Sequence, residues 1–157
     1  MFLTYHSHAW SEYTIHMTTD DLKKTLAGVM RGEVTSSERD RRIASRDTSL
    51  FARMPELIVY PQDRDDVSAI VKEVVRARST GADVSLTARA GGTDMSGGPL
   101  TTSVVMSFTR HMNHMGEIHL GVEPLSDGWA ETEPGVFYRD FEKATLEKNL
   151  LLPSYPA

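Results

Sequence analysis

The segment ELIVYPQDRDDVSAIVKEVVRARSTG, residues 56–81, decides how this chain folds. ELIVYP is a short apolar run closed by Pro61 and reads as a buried strand. In the stretch that follows, Val67, Ile70, Val71, Val74 and Val75 recur at the i, i+3, i+4, i+7, i+8 spacing of an amphipathic helix, with Gly81 as its stop. DVSLTA (83–88) reads as a second strand, RAGGTDMSGG (89–98) as a glycine-rich loop and SVVMSF (103–108) as a third strand. A strand–helix–strand unit this short implies parallel strands joined by a right-handed crossover. The expected sheet therefore holds 57–60, 84–88 and 103–108, with 65–79 as the crossover helix. Its core is expected to contain Leu57, Val59, Val67, Ile70, Val71, Val74, Leu86, Val105 and Phe108.

Upstream, residues 1–17 carry three histidines without a clear period and read as a loosely attached arm. In TTDDLKKTLAGVMRGE (18–33), Thr18 or Thr19 can cap a helix with Asp20 and Asp21 in its first turn, and Gly32 can end it. Leu22, Leu26, Val29 and Met30 share one face. Residues 33–49 are polar and charged and read as an exposed connection. Downstream, GEIHLGVE reads as a strand and VFYRDFEKATLEKN as a helix, with Asn149 a C-terminal cap. The class is α+β, an α/β-like lobe with helices packed on a small parallel sheet. The expected organisation is an arm (1–17), a helical lead-in and loop (18–54) and the main lobe (55–157).

Composition narrows the function. The chain has 157 residues, 39% hydrophobic and 25% charged, as expected of a globular protein with a real core. A net charge of -5 leaves no electrostatic footprint for nucleic acid. The absence of cysteine excludes disulfides, thiolate nucleophiles and iron–sulfur ligation in this chain. The first residues lack a signal-peptide pattern and no apolar run reaches transmembrane length, so a cytoplasmic location is the expectation.

The loop 89–98 poses the chemical question. Successive glycines can turn several backbone N–H groups toward one point and let a phosphate approach without a Cβ in the way. Thr93 and Ser96 add hydroxyls. The spacing is neither that of a lysine-bearing phosphate loop nor that of a dinucleotide fingerprint, and an extended run follows instead of a helix. On spacing alone, a phosphate cradle and a plain turn both stand.

The ordered series PELIVYPQDRDDVSAIVKEV, LTARAGGTDMSGGPL, VVMSFTRHMN and EPGVFYRDFEKATLEKNLLLPSYPA resembles the start of the FAD-binding domain of the p-cresol methylhydroxylase and vanillyl-alcohol oxidase superfamily. It looks nearest to the glycolate and D-lactate dehydrogenase branch. The resemblance spans about residues 20–157 and implies that the loop holds the FAD pyrophosphate. Arg89, Ala90, Gly91, Gly92, Thr93, Asp94, Ser96 and Gly97 are the implied contacts, together with Pro156 and Ala157 in a following segment. Two residues depart from the family pattern. Ala90 replaces a glycine, and Asp94 brings a carboxylate that must turn away or accept N–H bonds inside the loop. Thr93 stands where some members carry a histidine bonded covalently to the flavin, which implies non-covalent FAD. The resemblance further implies a small 2-hydroxy acid as substrate and a second flavin lobe and cap domain beyond Ala157, where the proton-abstracting base would reside. An apolar face near Pro99, Leu152, Pro153, Tyr155 and Pro156 is then expected to be exposed or self-associated.

Competing features read as ordinary surface. His111, His114, Glu117 and His119 lie close in sequence, but Gly116 and a strand-like EIHL argue against a helical metal site, and none is expected. His6 and His8 sit on the arm. Asp47 is expected to make a loop hydrogen bond, and Asn113 turn bonds. The alternative to the enzyme is a non-catalytic nucleotide-binding or interaction module that keeps only this lobe.

Overall fold

The computed structural model describes residues 17–121 and 127–153. In chain order they form α1 (Thr19–Val29), β1 (Glu33–Thr35), α2 (Glu38–Ala44), β2 (Leu57–Tyr60), α3 (Arg64–Ser79), β3 (Leu86–Arg89), β4 (Val104–Ser107), β5 (Met115–Leu120), β6 (Gly128–Thr132) and α4 (Tyr138–Leu146). The main sheet has the order β1-β2-β4-β3. β2 and β3 both run parallel to β4, with Leu57 and Leu86 opposite Val104. The sheet is therefore mostly parallel, as the spacing of 56–108 predicts, and α3 is the crossover.

Alternation along β2 divides the core between two faces. Leu57 and Val59 join Val104, Met106, Ile70, Val74, the α1 residues Leu22 and Leu26, and Met30 just after α1. Ile58 and Tyr60 face the other way, with Val105 and Ala44 of α2. Both middle strands are buried on both faces, which is why they read as continuous apolar runs.

Several expectations need correction. Residues 33–49 are not a plain connection, because β1 pairs antiparallel with β2 and α2 packs on the second face. A three-residue strand, and a helix whose only buried residue is Ala44, carry too little apolar period to be read. GEIHLGVE gives β5, and its antiparallel partner β6 has no apolar alternation to announce it. Val29, Val71 and Val75 are exposed. α3 meets the core through Ile70, Val74 and Ala77, a narrower stripe than its valines suggest, and Val71 lies about 100° round the helix from Ile70. Val71→Lys should consequently change unfolding free energy by no more than about 0.5 kcal/mol. A larger loss in chemical denaturation would show that Val71 is covered.

Helix starts follow the expected chemistry. Thr18 caps α1 in a capping box with Asp21, and Asp63 caps α3 through the N–H groups of Asp65 and Asp66. Asp66 itself is buried at 3% exposure. Its carboxylate accepts N–H bonds from Arg31 (2.9 Å), Gly32 (2.9 Å) and Gln62 (2.8 Å), tying the turn after α1 and the residue after Pro61 to the start of α3. Asn149 closes α4 in the left-handed region, as its identity predicts. Met17 packs on the core, whereas residues 1–16, including His6 and His8, lie outside the described residues. No helix among the described residues is long and apolar enough to cross a membrane.

Candidate phosphate-binding loop

Residues 90–103 join two parallel strands without a helix. The loop leaves the C-terminal end of β3 and returns to the start of β4, so it crosses the sheet end where α/β folds bind ligands. A cleft of about 510 Å³ opens there, bounded in part by Tyr60, Arg89, Ala90, Gly91, Ser107 and Phe137. Arg39 and Arg110 also line its wall, the latter with its charge met by Glu33 and Asp40.

The loop divides into two halves with different hydrogen bonding. In the second half, Asp94 Oδ1 accepts the Ser96 N–H (2.7 Å), the Ser96 hydroxyl (2.7 Å) and the Gly97 N–H (2.9 Å). Ser96 Oγ accepts the Gly98 N–H at 3.1 Å. The N–H groups of residues 96–98 are thus engaged inside the loop, and the Asp94 carboxylate is turned inward as its position demanded. The Ser96 hydroxyl and N–H bonds hold the Asp94 carboxyl below its usual range. In the first half, the N–H groups of Gly91, Gly92, Thr93, Asp94 and Met95 have no partner among the described residues. A run of successive N–H groups left open on a glycine-bearing turn is the arrangement that can cradle an anion.

Support for the first half comes from two directions. Gly92 has φ +71°, and a Cβ there would run into the Arg89 guanidinium, so the charged head lies directly against the loop backbone. Arg89 donates to the Arg46 carbonyl at 2.7 Å. Burial pulls the Arg89 pKa down, the neighbouring Asp47 charge opposes that, and an arginine stays cationic regardless. From the other side, the Thr48 hydroxyl lies 2.9 Å from the carbonyl oxygens of both Thr93 and Asp94, and the Thr48 N–H donates to Asp94 O at 3.2 Å. Thr48 lies far from the loop in sequence, and nothing in the local spacing of 47–49 signals the contact. Arg39 and Arg110 carry no local signal either, being scattered through an acidic chain.

The other candidates disperse. Asp47 accepts the Ser49 N–H at 2.8 Å and Asn113 donates to Thr109 O at 2.9 Å, both local roles as expected. His111 pairs with Glu33 at 2.9 Å, while Arg110 donates to Glu33 at 2.6 Å and lies over the Tyr60 ring at 3.6 Å. His119 stacks on Trp129 with ring centroids 4.1 Å apart. His111 and His119 therefore have separate partners, and the His114 backbone N–H donates to Glu133. Leu151 and Leu152 are exposed and Pro99 is half-buried. Tyr155, Pro156 and Ala157 lie outside the described residues.

Comparison with known proteins gives a consistent picture. The model of the FAD binding domain family matches residues 55–157. The D-2-hydroxyglutarate dehydrogenase of Pseudomonas putida is 31% identical over 105 residues, 67% of this chain and 10% of that protein. Its Escherichia coli counterpart is 30% identical over the same share of each. The chain thus spans about 10% of the length of these curated relatives. Among solved structures, a 4-ethylphenol oxidase from Gulosibacter chungangensis superposes with a TM-score of 0.63 at 20% identity, covering 83% of this chain and 24% of that one. p-Cresol methylhydroxylase gives 0.63 at 15% identity, covering 88% and 26%. The fold is shared with both.

Proposed function

The chain belongs to the FAD binding domain family, and from that premise we propose that its loop 89–98 holds the FAD pyrophosphate in a flavin-dependent dehydrogenase of 2-hydroxy acids. The observation that carries this reading is the run of N–H donors from Gly91 to Met95 without a partner among the described residues, backed by the Arg89 guanidinium. Gly91 and Gly92 offer backbone to a phosphate with no side chain in between. Ser96 and Gly97 act in the same site by locking the far half of the loop to Asp94. Phe137 packs against Gly91 and walls the loop on the cleft side. When bound, FAD supplies the hydride-accepting ring. This chain's share is to neutralise and orient the pyrophosphate, and no residue in it is assigned as the base. Threonine at position 93 supports non-covalent binding there. The names of the relatives favour D-2-hydroxyglutarate or a similar diacid over glycolate or lactate as substrate.

Titration of FAD, followed by flavin fluorescence, tests the assignment. Weak retention is expected from this chain alone, because half a pocket recovers too little contact to offset ordering of a long ligand. Tight retention is expected from a protein that also carries the family's second flavin lobe; no binding by that protein overturns the flavin reading. In it, Thr93→Ala should weaken FAD by about 1 kcal/mol, one neutral hydrogen bond. Self-association through the exposed Leu151 and Leu152 belongs to the same proposal, and a concentration-independent monomer in light scattering would remove it.

A further inference from the structure

We propose that Thr48 is a positioning residue for the phosphate-binding half of the loop, aiming the N–H groups of Asp94 and Met95 at the anion. The inference rests on the phosphate-binding reading of the loop and adds a residue outside it. A trans peptide sets its C=O and the next N–H on opposite sides of one plane. The Thr93 carbonyl and the Asp94 N–H share such a plane, as do the Asp94 carbonyl and the Met95 N–H. Both carbonyl oxygens are drawn to Thr48: its hydroxyl lies 2.9 Å from each, and its N–H reaches Asp94 O at 3.2 Å. The two N–H groups are therefore held on the face away from Thr48, where neither has a partner among the described residues.

The surroundings fit a clamp more than a chance contact. The neighbouring Ser49 N–H is fixed by Asp47 at 2.8 Å, and Ser49 Oγ accepts the Phe51 N–H at 3.1 Å, so residues 47–51 form a braced turn. The Arg46 carbonyl at its base receives Arg89. Among the described residues, the Thr48 hydroxyl supplies the only hydrogen bond from outside the loop to the 93–94 peptide plane, and it shares the 94–95 plane with the Thr48 N–H. The Asp94 side chain cannot replace it, since its bonds run forward to residues 96 and 97. Rotation of either plane would turn a carbonyl oxygen toward the phosphate, exchanging attraction for repulsion.

The test uses the 157-residue chain with inorganic pyrophosphate as probe, read by amide NMR shifts. In the unaltered chain, pyrophosphate should shift the amides of residues 91–95 and spare 96–98. Thr48→Val keeps the shape and removes the hydroxyl. It should weaken pyrophosphate about tenfold, abolish the Asp94 shift and reduce that of Met95, whose peptide plane the Thr48 N–H still holds, while Gly91 and Gly92 still respond. Thr48→Ser retains the hydroxyl and should restore them, a rescue that general loss of stability does not predict. If Thr48→Val disrupts the spectrum as a whole, Thr48→Ala is judged by the same criterion. Unchanged Asp94 and Met95 shifts in the folded hydroxyl-free variant, or failure of serine to rescue, overturn the role of Thr48 alone. Absence of any loop shift in the unaltered chain overturns the phosphate-binding reading beneath it.

Discussion

Gly92→Val is expected to abolish FAD and pyrophosphate binding, measured by equilibrium dialysis. Gly92 sits at φ +71°, where a β-branched residue is strained by roughly 1–3 kcal/mol. The added Cβ also meets the Arg89 guanidinium. That head is not free to yield, because it is half-buried and bonded to the Arg46 carbonyl at 2.7 Å. Either Arg89 leaves or the backbone of 91–93 rotates, and both outcomes dismantle the run of outward donors. The valine side chain would in addition occupy the space a phosphate needs. Gly98→Ala is the matched control: its Cβ would meet only Ser96 Oγ at 3.2 Å, and φ there is ordinary. Binding within about twofold of the unaltered protein is expected for it. Equal damage from both substitutions would show that the loop is merely fragile.

Asp66→Ala should lower unfolding free energy by roughly 3–5 kcal/mol, since three backbone N–H groups lose their shared acceptor in a buried place. Asn is no remedy, because its amide nitrogen would face one of those donors. The effect depends on pH with a definite sign. Burial works to raise the Asp66 pKa, but the N–H groups of Arg31, Gln62 and Gly32, with the Arg31 charge, outweigh it and leave the carboxyl below its ordinary value. A depressed folded pKa means the stabilisation is fully present above the unfolded value of about 3.9 and disappears as pH falls through the folded value. The difference in stability between the original and Asp66→Ala proteins should therefore be flat near neutrality and shrink in acid. A difference that grows on acidification would contradict the assignment.

The parallel unit of 56–108 was legible because buried strands and a long amphipathic helix leave strong periodic signals. β1, α2 and β6 were not: β1 is three residues long and reaches the core through Val34 alone, α2 does so through Ala44, and β6 is exposed but for one residue. Asp66 reads as a helix-start acid; that it is buried and tethers the turn after α1 depends on contacts to Arg31 and Gly32, 35 and 34 residues away in the chain, beyond any local pattern. The glycine loop announced an anion site, and Asp94 announced its own inward turn. The division of the loop into a self-bonded half and an open half was invisible, because it depends on which carbonyls Thr48 donates to. Val71 and Val75 misled because helical spacing gives a face but not its width.

The strand order has a consequence for how the chain acquires its shape. β2 and β4 are neighbours at the centre of the sheet, yet Leu57 meets Val104 only after α3, β3 and the whole glycine loop lie between them. Of the pairings in the main sheet this is the one most distant along the chain, so the entropy of closing that span falls on the step that completes the core. High sequence separation slows folding, and a nascent chain emerging from its N-terminus would present Leu57–Tyr60 as an open apolar edge until Ser107 is made. During that interval α1 and α3 can shelter one face of β2 but not its hydrogen-bonding edge. The interval of synthesis between Tyr60 and Ser107 is therefore when this protein is most exposed to association with other chains.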